Sequence, residues 1–173
     1  MAWKVDATQS KIEFSVRHFK VTTVRGHFGS FEGTVTIDEE NPQASSVEGT
    51  VNVDSLSTGI SPRDANLRSE AFFDTKRFPR MSFRSTRLGD MEGKSFKVYG
   101  EMTIRDVTRE VVFDAVDKGD MPAIQGKRRR AFGASIVLNR KDFDLEWNPL
   151  IETAGIAVSD EVRGTMEIQV MED

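Results

Sequence analysis

The constraint that narrows the fold most is alternation. Ile12, Phe14 and Val16, followed by His18, fall on one face of an extended stretch, with Glu13, Ser15 and Arg17 on the other. The same two-residue period returns at Phe31, Gly33, Val35 and Ile37, and again at Val47, Gly49, Val51 and Val53. It resumes at Met81, Phe83 and Ser85, at Phe96 through Ile104, and at Val111, Phe113 and Ala115. Two more runs follow, Phe132 to Leu138 and the long Val158 to Val170. A period of two sends successive side chains to opposite faces, so each run reads as a half-buried antiparallel strand. About eight strands joined mostly by short polar turns, such as Glu39-Glu40-Asn41-Pro42 and Arg105-Asp106, make a meander. A meander of that size removes its exposed edges most economically by closing on itself. The expected fold is all-β, an eight-stranded antiparallel barrel within a single domain over 1–173, with room for one small or narrow ligand.

Three segments break the rhythm, around 55–79, 117–130 and 139–157. The first contains TGISPRDANLRSEAFFDTKRFP, Thr58 to Pro79, between the third and fourth expected strands. Ser61 suits an N-cap, Pro62 the first helical position, and Asp64 the first turn, where backbone N–H groups need an acceptor. Asp64 and Arg68 are spaced to pair on one helical face. No continuous apolar stripe is present, so the spacing predicts a short helical insert of one or two turns. Phe72 and Phe73 then set two aromatics beside a polar turn, which makes the segment a lid over a cavity or a plug for a barrel end. The second segment, Lys118 to Arg130, holds two glycines, a proline and the basic run KRRR, and reads as irregular. The third begins at Trp147-Asn148-Pro149.

Composition excludes several functions. Twelve Phe stand against one Tyr, a choice that suits an apolar interior, because Phe has no polar tip to satisfy. A net charge of −4 argues against nucleic-acid binding. With no cysteine, thiolate chemistry and disulfides are excluded. Two histidines, His18 and His27, lack a metal-ligand spacing, and neither a metal nor another cofactor is expected. There is no GxSxG, P-loop or GxGxxG after a strand, so the chain is read as non-catalytic. Asp160 and Glu161 are adjacent on a strand and point to opposite faces, so they cannot serve one substrate as an acid–base pair. Asp160 falls inward and needs a basic partner, an arginine or His18. The N-terminal MAWKVDATQSKIEF has no apolar leader core, and no run of 18 apolar residues follows, so no integral membrane segment and a cytoplasmic location are expected.

Four groups of residues carry a resemblance. They are Trp3-Lys4-Val5-Asp6 with Ser10 to His18; Gly26-His27-Phe28 with Phe31-Glu32-Gly33; Thr58-Gly59 through Arg63-Asp64, Leu67-Arg68-Ser69, Phe72-Phe73-Asp74 and Phe78-Pro79 to Thr86; and Arg130-Ala131-Phe132, Asn139 to Phe143 and Gly155 to Val162. Gly100 to Thr108, GEMTIRDVT, is close to the pattern GxLTIxGVT, with Met102 for Leu and Asp106 for Gly. Across essentially its whole length the chain resembles the YceI-like family of lipocalin-like, polyisoprenoid-binding barrels. The KRRR run at 127–130 is more basic than is common there, and the expectation of no leader sets the chain apart from the family's exported members.

The resemblance implies a long apolar ligand, a polyisoprenoid, an isoprenoid quinone or a fatty-acyl chain, held inside the barrel for carriage, storage or stress-related handling. The inward face offers Phe14, Val16, His18, Phe31, Phe83, Val98, Phe113, Phe132 and Ile136 as its wall. Periodicity alone favours a solid core at these positions, because interiors pack without voids; the resemblance implies a hollow one. Phe72 and Phe73 are expected to cover one end and Trp147 to flank a mouth. Arg63 and Arg130 are the candidate head-group contacts, since arginine matches phosphate geometry. Solvation of KRRR, and a purely structural role for Asp64 and Arg68, stand beside those readings. A small barrel enzyme acting on a hydrophobic substrate and a ligand-free module stay open as alternatives, as does a homodimer through the face that carries Val112 and Val116.

Overall fold

The structure is a computed structural model, and it describes residues 2–18, 22–70, 72–145 and 158–173. Its strands are β1 (Ala2–Val5), β2 (Lys11–His18), β3 (Thr22–Phe28), β4 (Phe31–Thr36), β5 (Ser46–Asn52), β6 (Leu56–Ser57), β7 (Arg80–Glu92), β8 (Ser95–Ile104), β9 (Val107–Ile124), β10 (Lys127–Asn139) and β11 (Val158–Glu172). One helix, α1 (Ser61–Arg68), lies between β6 and β7.

All the pairings are antiparallel, and the eleven strands make one sheet. The count of eight returns once the broken strands are joined end to end. β1 and β2 both pair with β11, through Val5↔Val170 and Met166↔Ile12. β4 and β3 pair with β1 and β2 respectively, while β5 and β6 pair with β4 and β3. These six strands are therefore three bent staves, and β7 to β11 supply five more. Because β11 reaches back to β1, the ring has no free edge.

Each break has a local cause. Between β1 and β2 the chain loops out over 6–10, and the ladder is patched by Asp6 N–H donating to the Gln169 carbonyl at 2.8 Å and Gln169 N–H donating to Ser10 Oγ at 2.9 Å. Between β5 and β6 a 3-10 turn, Val53–Ser55, is capped by Asn52, whose side chain accepts from Asp54 N–H. That turn drives Val53 and Leu56 inward, where both are almost fully buried.

The tightest packing lies at the end of the barrel where α1 sits. Val53, Leu56, Leu67, Phe72, Phe143 and Leu145 are buried there, with Phe28 beside them. Two glycines allow inward rings to lie flat against the wall. Gly26 is in register with Phe14, and a Cβ on it would come within 2.3 Å of that ring. A Cβ on Gly100 would meet the Arg84 carbonyl at 2.4 Å and the Phe83 ring at 2.6 Å. The freed rings pair with neighbours, Phe14 with Phe28 at 5.2 Å between centroids and Phe83 edge-on to Phe113 at 4.9 Å.

Two expectations need correction. The helix starts one residue early: Ile60 occupies the cap position without a side-chain hydrogen bond, and Ser61 is already helical. The segment 118–130 is not irregular but the overhanging ends of β9 and β10, joined at Gln125 and Gly126, both with positive φ. That matches a tight hairpin turn. Pro122 and Gly119 mislead because both are weak strand residues, yet each lies near a register shift, where the ladder asks less of them.

Replacing Gly100 by alanine forces a side chain against backbone that cannot yield. Gly100→Ala is expected to cost about 1–3 kcal/mol, read as a fall of several degrees in Tm by circular dichroism.

Candidate functional site

The inward faces enclose a cavity of about 960 Å³ rather than a solid core. The expectation from periodicity alone is thereby overturned, and the reason is geometric. An eight-stave barrel holds more space than its inward side chains fill when several of them are Gly or Ala, as at Gly33, Gly49, Ala134 and Gly164. The volume lies at the upper end of the roughly 300–1,000 Å³ typical of small-ligand sites.

Of the fourteen residues named from the sequence, twelve line this cavity: Phe14, Val16, Phe31, Arg63, Phe72, Phe73, Phe83, Val98, Phe113, Arg130, Phe132 and Ile136. The backbone of His18 ends β2, while its side chain and all of Trp147 lie outside the described residues. Sequence reasoning missed several further wall residues, among them Leu67, Leu88, Met81, Met166, Phe143 and Leu145. Met81 and Met166 sit on inward positions that alternation already marked. Phe143 ends the 3-10 turn Arg140–Phe143, which Asn139 caps by accepting from Lys141 N–H at 3.0 Å; no periodic signal reaches it.

One end is a plug. Phe72 and Phe73 meet edge to face at 4.8 Å beneath α1, and both touch the cavity. The polar residues of the segment hold it in place. Asp64, nearly fully buried, accepts from Thr58 N–H at 2.9 Å and from the Thr58 hydroxyl. Arg63 Nε and Nη2 donate to the Thr58 hydroxyl and carbonyl at 2.8 and 3.0 Å. Arg68 does not pair with Asp64. Its Nε donates to the Asp54 carbonyl at 3.0 Å and its Nη2 to the Leu56 carbonyl at 2.6 Å, so it reaches back across the preceding strand. Arg105 adds a bond to the Phe72 carbonyl at 3.3 Å.

One basic group lies deeper in the wall than the sequence suggested. Arg140 is buried, donating to the Leu145 carbonyl at 2.7 Å and pairing with Asp160 at 3.4 Å. Asp160, expected to fall inward, is instead exposed and does not line the cavity; its partner is nonetheless an arginine, with Lys141 at 3.6 Å as a second.

The other end is the mouth. Asp38, Glu39, Asn41, Gln43, Lys94, Asp117 and Arg130 contribute to its lining. Arg130 and Asp117 form a two-point ion pair, through Nε at 3.3 Å and through Nη2 to the second carboxylate oxygen. That hydrogen bond, helped by the charges of Asp120 and Glu39, raises the Arg130 pKa above its ordinary value despite partial burial, so the guanidinium stays charged. The rest of KRRR is not simply solvated. Arg128 lies over the Trp3 ring and pairs with Glu39 and Glu172, while buried Arg129 donates to the Pro122 carbonyl and to Gln169.

Among the described residues no helix is long and apolar enough to cross a membrane, and no three His, Cys, Asp or Glu side chains converge on a point. A closed antiparallel barrel, plugged at one end and apolar within, defines the class: a lipocalin-like barrel built around an apolar cavity. A family model for the YceI-like domain matches residues 3–170, and the chain belongs to that family. A UPF0312 protein of Pectobacterium carotovorum is 35% identical over 136 residues, which is 78% of this chain and 69% of that protein. The protein YceI of Salmonella newport shows 35% identity over 136 residues, 78% of this chain and 70% of its own length. Among solved structures, Burkholderia cenocepacia BcnA superposes with a TM-score of 0.82 at 22% identity, covering 95% of this chain and 98% of that one. A polyisoprenoid binding domain from Saccharophagus degradans superposes with a TM-score of 0.73 at 16% identity, covering 99% and 98%. At those identities the two structures speak for the fold.

The plug yields a test of its anchoring. Asp64→Ala leaves the Thr58 N–H without its acceptor at a buried site and is expected to cost about 1–3 kcal/mol in urea unfolding. Asp64→Asn keeps an acceptor oxygen and should cost measurably less.

Proposed function

We propose that this protein is a non-catalytic carrier or store for one long apolar chain, a polyisoprenoid, an isoprenoid quinone or a fatty-acyl lipid, bound inside the barrel. The observation that carries the reading is the cavity itself, about 960 Å³, walled by Phe, Val, Ile, Leu and Met and floored by Phe72 and Phe73. Such a space is costly to leave wet and cannot be filled by a polar molecule without stranding its hydrogen-bonding groups. An apolar chain gains roughly 0.8 kcal/mol for each CH2 it buries, so length supplies affinity without a specific contact. The polyisoprenoid binding domain from Saccharophagus degradans has the same fold, and membership of the YceI-like family fits the reading.

Carriage fits better than catalysis because the three arginines that reach the cavity are engaged by the protein itself. Arg63 bonds Thr58, Arg140 bonds Leu145 and Asp160, and Arg130 bonds Asp117. An enzyme acting on a hydrophobic substrate needs a group that is free to move a proton or attack.

The direct experiment is organic extraction of the purified protein followed by mass spectrometry, with a long-chain lipid in near one-to-one amount expected. Ala134 projects into the cavity between Phe132 and Ile136 on β10. Ala134→Phe should fill part of the space and weaken binding of a fluorescent long-chain probe about tenfold while the barrel stays folded. Protein that extracts empty and ignores such probes overturns the proposal.

A further inference from the structure

We infer that the thioethers of Met81 and Met166 are modification sites: hydrogen peroxide that enters the empty barrel converts them to sulfoxides, and the altered wall no longer takes up an apolar chain. The inference rests on the reading of the cavity as a binding space for such a chain, and it concerns what closes that space to loading.

With no cysteine in the chain, methionine carries all of its sulfur. Four of the seven methionines, Met81, Met91, Met102 and Met166, line the cavity. They differ in exposure. Met91, near the mouth at the end of β7, is 39% exposed, whereas the other three are partly buried and pack against the core.

The chemistry is an oxygen-atom transfer. A lone pair on sulfur attacks one peroxide oxygen, the S–O bond forms as the O–O bond breaks, and the second oxygen leaves as water after a proton shift. Sulfur gives up two electrons and peroxide takes them. The sulfoxide is the reversible rung of methionine oxidation, and it turns a flexible apolar side chain into a polar one.

The cost of that change depends on the neighbours. Met81 lies opposite Val51 in the ladder, and Met166 lies between Ile12 and Ala134. None of those side chains can donate a hydrogen bond. Water satisfies the new S–O dipole while the cavity is empty. An entering apolar chain strips that water and supplies no donor in its place, so loading becomes unfavourable. Met102 differs, because Phe83 stands on one side of it and Arg109 on the other, and a guanidinium is a donor. Its oxidation is expected to weigh less. Occupancy in turn sets reactivity: a chain in the cavity covers the inner thioethers and leaves Met91 open at the rim.

The test treats delipidated full-length protein with hydrogen peroxide, reads each methionine by peptide mass spectrometry, and then titrates a fluorescent long-chain probe. Met91 is expected to oxidise at the same rate whether or not the probe is bound beforehand, and Met81 and Met166 about tenfold more slowly when it is bound. The oxidised barrel, with its circular dichroism unchanged, should bind the probe about tenfold more weakly. A protein carrying Met81→Leu and Met166→Leu, both volume-conserving changes, should keep most of its affinity after the same treatment. Unchanged affinity once both sites are oxidised overturns the inference and leaves the apolar-chain reading intact. So does a barrel that unfolds on oxidation, a pair of inner methionines that resist peroxide in the empty protein, or an equal loss of affinity in the double variant. Should that variant fail to fold, the affinity of the oxidised unaltered protein decides alone. If untreated protein binds no probe and extracts empty, the reading of the cavity falls, and this inference falls with it.

Discussion

The structure depends on one act of closure. β11 is long enough to pair with β10 along one side and with both β1 and β2 along the other, and only this shared strand turns a meander into a ring. Without it β10 would present an open edge, and the inward rings would collapse onto one another across a flat sheet. With it the wall is set by backbone hydrogen bonds rather than by side-chain packing. The interior can then stay hollow at modest cost, because the staves do not need a full core to keep their spacing. Phe14 and Phe83 lie against Gly26 and Gly100, so even the largest side chains line the space more than they fill it.

A wall held this way leaves the two ends to decide what the protein does. At one end the plug is secured by hydrogen bonds that Asp64 accepts from Thr58 and that Arg63, Arg68 and Arg105 donate to neighbouring backbone, which fixes where Phe72 and Phe73 stand. At the other, charged groups face one another across an opening. The charged residues of the plug segment thus build structure, while Arg130 and Asp117 at the mouth hold each other in an ion pair.

Much of this was legible in the sequence. Period-two runs marked the strands and their inward faces, and so eight of the twelve wall residues, because burial on one side of a sheet leaves a direct imprint on alternation. The position of the helical insert was legible from Pro62 and Asp64. Other features were not, for physical reasons that differ. Hollow and solid barrels use the same inward residue types, so periodicity cannot separate them, and the resemblance had to. The overhanging hairpin was hidden by Gly119 and Pro122, which signal loops even where a bulge absorbs them. The partners of Arg68, Arg130 and Arg140 depend on three-dimensional neighbours such as Asp54, Asp117 and Asp160, and i,i+4 spacing pointed Arg68 to the wrong carboxylate.

Lys118 is an extra residue in β9, bulged between the pairs Asp117↔Phe132 and Gly119↔Ala131, and it bears on how such an opening changes. A strand is a two-state counter: each residue added or removed exchanges inside for outside for everything beyond it. Lys118 is one such count, placed just where β9 leaves the barrel wall. The sign of the charge at the opening is therefore a matter of phase rather than of composition. Pairing Lys118 in a regular ladder would turn Asp120 to the other face without altering any of the apolar wall below, so the rim and the interior are free to change independently of each other.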